Sequence, residues 1–255
     1  MGKRETHKYT TERNTIMKSE KIISSFIMQN LPKESNHSII DVGANEDADF
    51  SRVFIEDGWK ALLIEPQIEL CQNLKNIFKD KDCIIINKAC GDSKKETLLY
   101  LAKGGDTQLA TLNDHNNEWF DMVRSETTVK VQCDTISNII QDTNFDINFS
   151  VLKIDAESWD YFVLKGLDFS KYKPIFIISE DYFMEPENCR NKYYLLEDQG
   201  YVLLGWIEHN TLWRKRDKNI NFMNILMRDY FFTNNIYPQE FGFFDIKSKL
   251  IPNNI

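Results

Sequence analysis

No apolar run in this sequence approaches the ~20 residues a helix needs to cross a bilayer, and the segment from Met1 to Glu20 is polar throughout. Neither a membrane span nor a cleaved leader is expected, and the cytoplasm is the expected location. Cysteines are few and badly placed for joint work. Cys71, Cys83, Cys90, Cys133 and Cys189 are odd in number, and no two stand at C-x-x-C spacing. That argues against a disulfide framework or a zinc site and leaves buried thiols in a reducing compartment. Positive charge is also short: 31 Lys and Arg face 39 Asp and Glu, a formal net charge of −8. Such a chain is poorly suited to gripping a phosphate backbone, so nucleic acid is not an expected partner. A neutral or cationic small molecule, a sugar or a peptide fits better. Internal repeats and low-complexity segments are lacking too.

What is present suffices for one large α/β domain. The chain has 255 residues, 42% of them hydrophobic and 13% aromatic, enough for a sizeable core. Residues 1–37 read as a polar arm followed by a helix, with Ile22, Ile23, Phe26 and Ile27 on one stripe and Pro32 closing it. Strand-like runs at 38–42, 61–64 and 83–87 then alternate with helical patterns at 47–57 and 68–78, the succession of a parallel, helix-covered sheet. The alternation breaks at about 96–133, where two strand-like segments (97–101 and 128–133) flank a polar stretch, read as an inserted hairpin or a long functional loop. It resumes with a helix near 134–140, a strand at 149–155, a helix at 158–165, a strand at 174–179 and a helix at 188–199. An antiparallel hairpin, 201–207 with 211–216, closes the sheet. A domain over 38–219 is therefore expected. The last segment, 220–255, carries eight aromatics, from Phe222 to Phe244. Disordered tails are aromatic-poor, so this one is expected to dock on the domain.

Two constellations carry chemistry. The first is Asp41-Val-Gly-Ala-Asn45 ending the first strand, with Glu65-Pro66 ending the second. In a doubly wound sheet both lie on one edge, beside the point where ligands bind. Gly43 lets backbone approach a ligand closely, and Glu65 can accept hydrogen bonds from ribose hydroxyls. NAD would need further glycines at G-x-G-x-x-G to carry its pyrophosphate, whereas Gly43 is followed by Ala44, Asn45, Glu46 and Asp47. An acidic turn repels a pyrophosphate. It suits S-adenosylmethionine (SAM), whose sulfonium and ammonium are cationic. The second constellation is Asp155 and Glu157 after the strand at 149–155, with Glu180 and Asp181 after the next parallel strand. These carboxylates can orient the amino group of SAM, take a proton from an acceptor hydroxyl or hold Mg²⁺. No metal site is predicted.

In order and separation, Asp41-Val-Gly-Ala-Asn45, Ser51, Gly58-Trp59-Lys60 and Leu63-Ile-Glu65-Pro66, together with Lys153-Ile-Asp-Ala-Glu157, Val163-Leu-Lys-Gly166, Pro174 and Glu180, resemble the FkbM family of SAM-dependent methyltransferases. The resemblance spans roughly residues 38–216. It implies a Rossmann-like class I methyltransferase sheet of seven strands, mostly parallel with an antiparallel last strand. It also implies O-methylation of a hydroxyl, commonly on a sugar of a glycan, lipid or secondary metabolite. On this resemblance Asp41, Gly43 and Asn45, with Ala44 between them, would hold the methionine part of SAM. Glu65 with Pro66 would bind the ribose, Ala89-Cys90 would border the adenine, and Asp155 and Glu157 would lie at the reacting end. The chain departs from the family pattern at Asp47 and Ser158, where Gly is usual, and at Asp160, where Glu is usual.

Sulfonium is already a good leaving group, so orientation, at ~7–11 kcal/mol, outweighs a general base, at about 10²–10⁴-fold. Asp155 or Glu157 is expected to assist deprotonation, with Glu180 beside them and His115, in the polar loop, as an outside candidate. Trp119 and Phe120 could stack on a sugar ring or form the core of the insertion. Adenine N-methylation is disfavoured, because Asp155-Ala-Glu-Ser158 stands where such enzymes have D/N-P-P-Y/F. The competing reading is a protein that keeps the fold and binds SAM without turnover.

Overall fold

Strand β1 (Ser38–Val42) is buried at every position, as a central strand covered on both faces must be. In the computed structural model it is flanked by β2 (Lys60–Ile64) on one side and β7 (Val151–Ile154) on the other, both parallel to it. Beyond β2 lies β3 (Cys83–Ile86), and beyond β7 lies β8 (Phe176–Glu180), again parallel. Strand β10 (Asn210–Lys215) then runs antiparallel to β8 and pairs with β9 (Tyr201–Ile207) as the closing hairpin. The order β3-β2-β1-β7-β8-β10-β9 is the seven-stranded, mostly parallel sheet expected, extended by a two-residue strand, β11 (Phe241–Gly242), on β9. The structure describes residues 21–113, 124–181, 184–207, 209–217 and 241–242. The expected arm at 1–19, most of the aromatic segment 220–255, His115, Trp119 and Phe120 lie outside them.

Residues on β2 alternate between two apolar layers, as a strand's period of two requires. Ala61 and Leu63 join Ile39 in a core with Ile23, Phe26 and Ile27 of the helix α1 (21–30), Phe50 and Phe54 of α2 (Asp49–Glu56), and Leu74 of α3 (Ile68–Ile77). Leu62 and Ile64 join Ile40 and Val42 in the other core. There they meet Ile136, Ile139 and Ile140 of α4 (Ile136–Thr143), Val163 and Leu164 of α5 (Asp160–Lys165), and Tyr193 and Leu196 of α6 (Pro186–Asp198). Helices thus cover both faces. Local chemistry sets several boundaries. Thr135 caps α4 by accepting from Asn138 N at 3.1 Å, Asn144 ends the same helix in the left-handed region, and Pro186 opens α6.

The interrupted stretch is a hairpin, as the alternation break suggested. Strands β5 (Lys95–Ala102) and β6 (Arg124–Asp134) pair antiparallel, and β4 (Ala89–Cys90) adds to β6 in parallel, giving a separate three-stranded sheet. Its small apolar core holds Ala89, Leu99, Val131 and Cys133, with Leu101, Ala110 and Leu112 against it. No helix among the described residues is long and apolar enough to cross a membrane.

Candidate active site at the carboxyl edge of the sheet

The chain order reverses between β1 and β7, so the loops leaving β1, β2, β7 and β8 converge on one edge, the place where open α/β sheets bind ligands. Gly43 leaves β1 with φ of +80°, and its N–H donates to the carbonyl of Ile64 at 2.9 Å. A Cβ at this position would lie 1.9 Å from the carbonyl oxygen of Asp155. The close approach that Gly43 permits here is therefore to the β7 loop. Asp41 sits behind the turn, fully enclosed. It accepts from Ser51 Oγ at 2.6 Å and lies 3.5 Å from Lys153 Nζ. Ala44 turns its methyl group into the core, so it can offer a ligand only its backbone. Asn45 adopts a left-handed φ of 55°, which Asn tolerates better than most residues.

Glu65 caps β2. One carboxylate oxygen accepts from Asn45 N at 3.0 Å and the other from Gln67 N at 2.8 Å. Burial pushes its carboxyl up to about 7, and those two N–H groups hold it from rising further. The turn through Pro66 is fixed by Asn87, whose amide donates to the carbonyls of Glu65 at 3.0 Å and Pro66 at 2.9 Å. A carboxylate fixed on one side by two backbone donors keeps lone pairs for a diol. The turn beside it offers no glycine-rich phosphate cradle. Both features fit SAM. Ala89 and Cys90 have their side chains in apolar cores, so an adenine bordered by this segment would meet its backbone.

Three of the four carboxylates of the second constellation come together. Asp155, Glu157 and Glu180 bring carboxylate oxygens within 4.8 Å of one another. Asp181, the fourth carboxylate read into this constellation, is drawn away. Its carboxylate pairs with the buried ammonium of Lys192 and accepts from Tyr193 Oη at 2.6 Å. Glu157 stands in the cluster in a left-handed conformation (φ 49°), followed by Ser158 (φ 72°). A left-handed Ser158 explains why glycine suits this position. Asp160 is buried and ties the two loops together. It accepts from Ala156 N at 3.1 Å and from Glu180 N at 2.8 Å, and burial raises its carboxyl to about 7. At the third departure, Asp47, burial and the neighbouring Asp49 raise the carboxyl to about 6. Arg52 donates to the Asp47 carbonyl and lies 3.7 Å from its carboxylate.

Crowding decides the charge of the cluster. Burial, and then repulsion from Asp155, push the carboxyls of Glu157 and Glu180 well above the usual carboxylate range. Glu180 Oε2 is buried without a hydrogen-bond partner. Lys153 Nζ stands 3.3 Å from Asp155 Oδ2 and 3.5 Å from Asp41 Oδ1. Sequence reading placed Lys153 in a motif but gave it no role, although a lysine inside the apolar run Val151-Leu-Lys-Ile154 is itself a signal. It missed Gln67, Asn87, Thr107, Thr111 and Asn113, which carry no local pattern.

The sheet order is that of the class I methyltransferase sheet. Residues 41–203, more than half of the chain, match the methyltransferase FkbM domain, and the chain belongs to that family of SAM-dependent methyltransferases. Solved structures similar to it include a TehB-like SAM-dependent methyltransferase from Corynebacterium glutamicum (10% identity, 83% of this chain and 98% of that one, TM-score 0.41). A precorrin-6y C5,15-methyltransferase from Geobacter metallireducens (8%, 76% and 87%, 0.40) and an O-methyltransferase from Bacillus cereus in complex with SAH (9%, 76% and 88%, 0.39) are also similar. No curated protein matches the chain.

Proposed function

We propose that the protein transfers the methyl group of SAM to a hydroxyl oxygen of a sugar, glycan or secondary metabolite, with Asp155 as the base. The observation that carries this reading is the carboxylate cluster at the same sheet edge as Glu65, with Lys153 against one of its members. Bound SAM supplies an electrophilic methyl group on a good leaving group. The chain's residues hold the reactants and handle the proton.

In this reading Glu65 accepts from the ribose diol, and the turn at Gly43 to Asn45 borders the methionine part. Asp155 takes the acceptor's hydroxyl proton as the new C–O bond forms, while Glu157 and Glu180 hydrogen-bond to other acceptor hydroxyls. An acceptor rich in hydroxyls suits a group that both donates and accepts. The net charge of −8 disfavours a polyanionic acceptor.

Isothermal titration with SAM and S-adenosylhomocysteine tests the cofactor. Wild type is expected to bind both, and Glu65→Ala to weaken SAM by tenfold or more; silence toward both ligands would sink the reading. Acceptor screening by methyl transfer then tests turnover. Asp155→Asn is expected to lose about 10²-fold or more in kcat while SAM affinity stays within threefold. Full turnover in that variant would remove Asp155 from the role. SAM binding without transfer to any hydroxyl acceptor would instead mark a cofactor-binding scaffold.

A further inference from the structure

The segment 106–113, between β5 and the part of the hairpin loop outside the described residues, touches both constellations. At one end Thr107 Oγ1 donates to Asn45 Oδ1 at 3.2 Å, and the Thr107 carbonyl accepts from Gln67 Nε2 at 3.0 Å. Asn45 and Gln67 are the residues whose backbone N–H groups clamp the two oxygens of Glu65. Thr107 therefore closes a ring around that carboxylate. At the other end Thr111 Oγ1 donates to the Glu157 carbonyl at 2.7 Å and accepts from Asn113 N at 3.0 Å, and Asn113 Nδ2 donates to Ser158 Oγ at 2.9 Å.

The second set of bonds falls on the two consecutive left-handed residues, Glu157 and Ser158. Neither is a glycine, and such conformations persist only where the surroundings over-determine them. Thr111 and Asn113 are each only 2% exposed, so their hydrogen bonds are shielded from water. The segment is itself anchored. Thr111 exchanges both backbone hydrogen bonds with Tyr100 of β5, at 2.9 and 3.0 Å, and Ala110 and Leu112 pack on the small hairpin core.

We infer that the segment 106–113 is a brace that sets the cofactor end and the acid cluster together, Thr107 positioning Glu65 and Thr111 with Asn113 positioning Glu157. The inference rests on the methyltransferase reading and adds positioning residues drawn from the hairpin, outside the cofactor turn. It gives the inserted sheet a job: holding Glu157 beside Asp155, where the sulfonium charge of SAM would face them.

The two ends predict different signatures, because SAM carries a positive sulfur and S-adenosylhomocysteine does not. Titration calorimetry is run with both ligands on wild type, Thr107→Val, Thr111→Val and Thr111→Ser. Thr107→Val is expected to weaken both ligands alike, by fivefold or more, through the loosened ribose clamp. Thr111→Val is expected to leave the homocysteine product within twofold but to lower the SAM-to-product preference threefold or more, as Glu157 swings away from the cluster. Thr111→Ser, which keeps the hydroxyl, restores the wild-type preference. A thermal melt confirms that each variant is folded. If folded Thr111→Val keeps the wild-type preference, or if Thr111→Ser loses it as Thr111→Val does, the brace is overturned. If wild type binds neither ligand, the methyltransferase reading fails instead, and the two failures are distinguishable.

Discussion

Gly43 is the residue whose substitution should be least tolerated at this site. Its φ of +80° costs an L-residue about 1–2 kcal/mol, and an added Cβ would sit 1.9 Å from the Asp155 carbonyl. Gly43→Ala must push β1 and β7 apart at their carboxyl ends, where Asp155 begins its loop. A clear drop in the urea midpoint is expected, together with loss of SAM binding; an unchanged midpoint would contradict the packing. At this scale the sequence is readable where a side chain ends a strand. Glu65, Asp155, Glu157 and Glu180 were identifiable because strand ends of a parallel sheet share an edge. Thr111 was not: it meets Glu157 across 46 positions, through a pairing with Tyr100 that no local pattern announces. Glu157 was legible as a carboxylate at that edge, but its left-handed backbone was visible only as Ser158 standing where glycine is usual.

Among the elements, helix α6 and strand β8 are joined by a group that its charge alone would assign to solvent. Lys192 is fully buried. Its ammonium donates to Ser179 Oγ and the Glu180 carbonyl, each at 2.7 Å, and pairs with Asp181. Removing one partner of a buried pair leaves an uncompensated charge, at a cost of about 3–5 kcal/mol. Lys192→Met is expected to fall in that range by chemical denaturation, and adding Asp181→Asn to recover part of the loss. Equal stability of the single variant and wild type would show that the pair contributes nothing. This contact also explains why Asp181 leaves the acid cluster, which sequence position could not reveal. The elements themselves were largely legible, because β1, β2, β7 and β8 are apolar runs bounded by polar turns and the helices carry regular stripes. Boundaries shifted where capping or pairing decides them. The helix expected to start at Asp47 begins at Asp49 after a left-handed Ala48, and Ala89-Cys90 became a short strand only because β6 folds back beside it.

For the molecule as a whole, the acidic edge fixes how stability responds to pH. Glu65 and Asp160 are raised to about 7, and Glu157 and Glu180 well above their ordinary value, all chiefly by burial. The folded chain therefore holds protons that the unfolded chain releases above about 4 to 4.5. Where the native state binds more protons than the unfolded one, stability falls as pH rises. The contribution of these groups is fully present below the ordinary carboxylate range and is lost progressively as pH climbs through about 7. Asp92 and Asp134 are lowered, held down against burial by Lys165 and by Asn138 with Lys88. Their stabilisation is lost only in acid, below the ordinary Asp value, so they leave the slope above pH 5 untouched. The ligand-free protein should melt several degrees higher at pH 6 than at pH 8, and Glu180→Gln, which carries no titrating proton, should flatten that slope. Bound SAM should flatten it as well, because a sulfonium facing the cluster favours ionised carboxylates and lowers their affinity for protons. A melting temperature that rises from pH 6 to pH 8 in the ligand-free protein would mean that the cluster is ionised in the folded state. The positive charge needed to balance it would then have to come from something other than Lys153.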